Sequence, residues 1–155
     1  MFRWARLSLV CVLLGVLTTP VFALDRAALA GRKPPRMLSQ IGAFTGPGIS
    51  NPAEGVIAYN LATPLFSDGA IKTRHVFIPQ GSSATYHKGE VFAFPVGTVL
   101  FKTFAFPADF RQPDQKVRLV ETRLLIHQTQ GWQAWPYIWN DDQSDAQLKV
   151  AGRRM

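Results

Sequence analysis

Lys102 sits in the middle of FPVGTVLFKTFAFP (Phe94–Pro107), a stretch in which eleven of fourteen residues are apolar or glycine. An amine in such surroundings has two chemical uses. Desolvation lowers its pKa and frees its lone pair, as in a general base or a Schiff-base lysine. Alternatively it closes a structural ion pair. LVETRLLI (Leu119–Ile126) places Glu121 and Arg123 in an equally apolar run. If these two segments are antiparallel neighbours, Lys102 can face Glu121, and opposite charges across strands are mildly favourable. A carboxylate there raises the amine's pKa and works against base chemistry. The reading is therefore a structural network of Lys102, Glu121 and Arg123 that pins the strand register. An enzyme using Lys102 and Glu121 is the lesser alternative.

The remaining chemistry is sparse. His75, His87 and His127 are the histidines, and none forms the close pair that metal sites use; they read as surface or edge-strand residues. NDDQSD (Asn140–Asp145) begins like a calcium loop, but Ala146 and Gly152 stand where such a loop needs its glycine and its bidentate glutamate. GWQAWPYIWN places Trp135, Tyr137 and Trp139 on one strand face. Buried, they are core; exposed, they would stack on sugar rings, with Asn140 and Asp141 bonding the hydroxyls. That makes a carbohydrate-binding module the alternative function and a glycan the alternative partner. Ser67 lacks a nucleophile elbow, and no phosphate loop or dinucleotide fingerprint occurs. No catalytic, cofactor-binding or metal-ligating residue is assigned.

Composition fixes the setting. Arg3 and Arg6 precede an apolar run, Leu7–Leu17, and then TTPVFA, the pattern of a signal peptide cleaved near Ala23. The run is too short to span a membrane, which takes about 20 residues. The expectation is a periplasmic or secreted chain with no membrane span once mature. Cleavage removes Cys11, the single cysteine, leaving no disulfide and no thiolate site. The chain's net charge is +7, yet Met37–Gly152 holds nine Lys/Arg and nine Asp/Glu. Its excess basic residues lie on the termini, which argues against a nucleic-acid partner.

The elements that must position these residues are strands. Lys72–Ile78 alternates, with Arg74, Val76 and Ile78 on one parity. Val91–Phe94 and Thr98–Phe106 are rich in Val, Phe and Thr, while Val117–Gln128 and Trp132–Asn140 flank a short glycine-bearing turn and form a hairpin. Met37–Phe44 predicts one helical turn ended by glycine. The expected fold is mostly β, an antiparallel sandwich-like domain with a short helical or irregular N-terminal arm. The expected organisation is a signal peptide over 1–23, a linker or arm over 24–36, and one β-rich domain over 37–155. Gln147–Val150 begins a further strand that leads into a turn, so the domain is expected to be truncated at its C-terminal end.

Four stretches, YNLATPLFSDGAIKTR (Tyr59–Arg74), FAFPVGTVLFKTFAFP (Phe92–Pro107), LVETRLLI (Leu119–Ile126) and GWQAWPYIWNDDQSDA (Gly131–Ala146), together resemble an exported bacterial family labelled diheme c-type cytochrome. The resemblance covers most of the chain from Met37 onward. It implies that this β-rich segment precedes a haem-bearing one, where C-x-x-C-H holds haem c. This chain contains no C-x-x-C-H. No cofactor is therefore expected in it, although fuller relatives carry haem c. What the resemblance implies is a non-catalytic docking or scaffold role in an electron-transfer context, with a haem-bearing segment or redox protein as partner.

Overall fold

The computed structural model describes residues 24–31 and 33–149. The expected signal peptide, Arg32 and residues 150–155 lie outside the described residues. Six strands form one antiparallel sheet: β1 (Val56–Ala58), β2 (Ile71–Phe77), β3 (Val99–Phe106), β4 (Arg118–Gln128), β5 (Gly131–Trp139) and β6 (Ala146–Leu148). Each strand pairs with the next in sequence, so the sheet is an open meander. The strongest sequence signals became the long central strands. Val91–Phe94 did not become a strand: it lies in the β2–β3 loop and contributes one isolated bridge, Thr85↔Ala93. The β4–β5 hairpin forms where TQG predicts it, and Gly131 takes φ 111°, which a side-chain-bearing residue rarely adopts.

Burial follows the period of two. Along β3 buried and half-buried residues alternate without a break. Val99 and Phe101 of β3, Leu124 and Ile126 of β4, and Trp135, Tyr137 and Trp139 of β5 all point into one core. What covers that face is not a second sheet but the N-terminal stretch. A short helix α1 (Arg26–Ala30), N-capped by Asp25, contributes Leu29. A 3-10 turn (Leu38–Ile41), closed by Gly42 at φ 70°, contributes Leu38 and Ile41. Leu24, Ala43 and Ala53 complete the layer.

The stretch over 24–36 that composition marks as a linker is thus part of the packed body. Asp25 N–H donates to the Ile41 carbonyl at 2.8 Å, and Leu148 N–H donates to that of Arg36 at 2.9 Å. The Gln128 amide donates to the carbonyls of Leu29 and Gly31. The buried Tyr137 hydroxyl reaches the Pro35 carbonyl at 2.9 Å, and burial holds that phenol's pKa well above its ordinary value. Prolines and glycine stop a helix, but they leave free carbonyls, and the sheet uses them.

Inside the core a polar chain is fully enclosed. Trp139 Nε1 donates to Thr122 Oγ1 at 2.9 Å, and Thr122 Oγ1 bonds Thr103 Oγ1 at 2.8 Å. All three residues are buried. His75 is buried as well, which corrects its reading as a surface or edge-strand residue. Its ring stands edge-on to Phe44, and its Nδ1 is buried without a hydrogen-bond partner among the described residues.

Two outcomes test this packing. Thr122→Val keeps the shape but strands the indole N–H and the Thr103 hydroxyl; urea unfolding should show a loss of about 2–6 kcal/mol, at about 1–3 kcal/mol for each unsatisfied group. Desolvation holds the His75 imidazole below its usual pKa, so the unfolded chain binds this proton more readily than the folded one. Stability should be at its full value above about pH 6.5 and fall as pH drops from there toward the folded pKa. Melting curves of His75→Leu should lack that slope; an unchanged slope would assign the sensitivity to another group.

Candidate functional site

The opposite face of the sheet carries the charged residues. Register places Arg74 of β2 directly across from Lys102 of β3, and Lys102 directly across from Arg123 of β4. Three cations therefore stand in a row across three strands. Lys72 lies on the same face, paired in register with Phe104. The sequence expectation that Lys102 meets Glu121 is not what forms. Glu121 is opposite Phe104, two pairs along the ladder, before a register shift between Phe104 and Ala105.

Glu121 instead binds Arg123 on its own strand. Arg123 Nε donates to Oε1 at 2.8 Å and Nη2 to Oε2 at 2.9 Å. This two-pronged contact pushes the guanidinium pKa up, with the Glu121 hydrogen bonds as the main cause. Of the expected network, Glu121 and Arg123 come together and Lys102 stands apart, with no carboxylate within 4 Å among the described residues. Lys102 Nζ lies 4.7 Å from the centre of the Phe104 ring, and the Arg123 guanidinium lies 4.9 Å from the same ring. Desolvation, then the charges of Arg74, Arg123 and Lys72, lower the Lys102 pKa. A proton acceptor or nucleophilic partner for it is absent among the described residues: no hydrogen bond to Nζ is made.

Arg74, which composition alone leaves as an ordinary strand residue, is the most enclosed of the row, at 7% exposure. One hydrogen bond is made by its guanidinium among the described residues, from Nη1 to the Lys72 carbonyl at 3.3 Å. The Lys72 amine is turned away, to the Leu65 carbonyl and the Ser67 hydroxyl. From β2 to β4 the row passes from buried Arg74 through half-buried Lys102 to exposed Arg123. Apolar residues flank it. Val76, Leu100, Leu125 and Ala134 line up across β2–β5 on one side, with Ile57 beside Val76 and with Phe104 and Ile138 on the other side. Ile57 is 64% and Leu125 42% exposed.

The aromatic platform expected from Trp135, Tyr137 and Trp139 is sealed in the core, at 6%, 0% and 4% exposure. No sugar ring reaches it. Asn140 and Asp141 form the β5–β6 turn: Asn140 N–H donates to the Asp145 carbonyl, and Asp141 accepts from Arg118 at 2.6 Å. Asp145 itself accepts from the Ser39 N–H and hydroxyl, tying that turn to the N-terminal layer. The exposed aromatics lie elsewhere. Exposed Tyr86 and Phe92, half-buried Phe94 and exposed Trp132 follow one another at ring separations of 5.9–6.2 Å, and Trp132 stacks on His127 at 4.7 Å.

The histidines do not converge, and no group of three metal-binding side chains occurs among the described residues. A cleft of about 720 Å³ lies between α1 and the β4–β5 turn, lined by Arg26, Leu29, Val96, His127 and Gln130. The Nδ1 of its histidine is engaged by the Phe94 carbonyl at 2.9 Å. Comparison of the chain with family models, with curated proteins and with solved structures gave no match.

The register gives a test by sign. A carboxylate at position 102 would stand between two guanidinium groups and replace two like-charge pairs by opposite ones, each worth about 0.2–1 kcal/mol. Lys102→Glu should therefore raise the melting temperature by about 2–5 °C. Were Lys102 paired with Glu121, the same change would lower it.

Proposed function

We propose that this chain is an exported, non-catalytic docking domain whose uncovered sheet face receives a redox partner, in particular a haem-bearing c-type segment. The observation that carries the reading is the asymmetry of the sheet. One face is sealed by the N-terminal layer, while the other leaves Ile57 and Leu125 in solvent beside Leu100, Phe104 and Ile138. Contiguous apolar surface of this kind marks an interaction site. A partner layer on this face would complete the sandwich-like architecture that the strand pattern suggests. The resemblance of Tyr59–Arg74, Phe92–Pro107, Leu119–Ile126 and Gly131–Ala146 to exported cytochrome-like chains supplies the electron-transfer context.

Docking is preferred to catalysis because Lys102 has cations rather than an acid or base beside it. It is preferred to glycan binding because the rings of Trp135, Tyr137 and Trp139 are core. Titration of the exported chain with purified c-type haem proteins from the same compartment, followed by amide NMR, tests the reading. Shifts should cluster at Leu100, Leu125, Ala134 and Ile138, and Leu125→Glu should abolish them. Shifts confined to the N-terminal layer, or none with any haem protein, would overturn it.

A further inference from the structure

The cation row is costly as it stands. Like charges directly opposite across strands destabilise a sheet, and here two such contacts share one residue: Arg74 against Lys102, and Lys102 against Arg123. Only one carboxylate, Glu121, answers the row among the described residues, and Arg123 takes both of its oxygens. Arg74 is left buried with one long hydrogen bond to a backbone carbonyl. A guanidinium is a planar fork suited to a carboxylate, and this one has no such partner within the described residues.

We infer that the Arg74–Lys102–Arg123 row is a carboxylate-binding site, and that its ligand is a polypeptide segment presenting paired Asp or Glu side chains between apolar residues. The inference rests on the docking reading and adds the chemistry of the docked surface. Geometry supports it. Adjacent strands lie about 4.8 Å apart, so the row extends over about 10 Å, and two carboxylates on one side of an extended segment lie about 7 Å apart, within that length. Val76, Leu100 and Leu125 on one side of the row match apolar neighbours of those carboxylates; on the other side Phe104 and Ile138 stand apart with Glu121 between them, its carboxylate held by Arg123. Side chains that protrude are required, because Arg74 is recessed and Lys102 only half-exposed. The flat surface of an anionic bilayer does not reach such groups. A nucleic-acid backbone is disfavoured by the balanced charge of Met37–Gly152.

The experiment is a fluorescence-anisotropy titration of the exported chain with a labelled ten-residue peptide, Glu-Ser-Glu at its centre and Leu and Val at its flanks. A peptide with Gln in place of Glu serves as its counterpart. The Glu peptide should bind at least tenfold more tightly, and its affinity should fall as salt is raised. Lys102→Glu and, independently, Arg123→Gln should each weaken it at least tenfold. Lys88→Glu, in the exposed β2–β3 loop, should not. Folding of each variant is checked by its melting temperature. Equal binding of the two peptides would overturn the carboxylate site while leaving apolar docking at Leu125 intact. Binding of neither peptide, or binding of phosphatidylglycerol vesicles in preference to the Glu peptide, would also overturn it; the haem-protein titration judges the docking reading separately.

Discussion

A single antiparallel sheet stays in solution only if at least one of its faces is taken out of water, and here that burden falls on residues 24–53. Leu24, Leu29, Leu38 and Ile41 lie over Val99, Phe101, Leu124 and Tyr137. The layer has little regular structure of its own, so its polar backbone must be satisfied by the sheet. Tyr137, Gln128 and the Leu148 N–H do this through Pro35, Leu29, Gly31 and Arg36. Buried aromatic area supplies the driving force, and the hydrogen bonds fix where the layer sits. Everything on the opposite face inherits its placement from this contact.

The two faces solve their polar problems differently. In the core, Thr103, Thr122 and Trp139 form a closed chain in which each polar group has a partner. Satisfied networks of this kind specify one packing. On the outer face the charges are only partly answered. Glu121 neutralises Arg123, Phe104 offers its ring to both Lys102 and Arg123, and among the described residues Arg74 is left with a backbone carbonyl. A carboxylate at position 102 would answer both neighbouring guanidinium groups. The lysine there instead leaves a positive, recessed strip framed by apolar side chains, the feature on which the proposed carboxylate site rests.

Much of the fold was legible in the sequence. Alternation in Lys72–Ile78, Thr98–Phe106, Val117–Gln128 and Trp132–Asn140 marked the four long strands because a pleated chain sends successive side chains to opposite faces. The turn at Gly131 and the 3-10 turn before Gly42 were legible from their glycines, which take the positive φ that other residues rarely adopt. The N-terminal layer was not. Gly31 and the Pro34–Pro35 pair look like a linker to any local measure, and only distant residues such as Tyr137 and Gln128 give that stretch something to bind.

The sequence by itself determined which residues share a parity: Lys102 with Leu100 and Phe104, Glu121 with Arg123 and Leu125, Trp135 with Tyr137 and Trp139. Parity is a local property of the extended chain. It does not say which residues stand opposite each other, nor which parity faces the core. Those two choices were made by tertiary structure. Register, together with the shift at Phe104/Ala105, set Lys102 against Arg74 and Arg123 rather than Glu121. The N-terminal layer chose the tryptophan–tyrosine face for burial, because its large apolar area gains more from leaving water than the charged face does, and so left the cations outside.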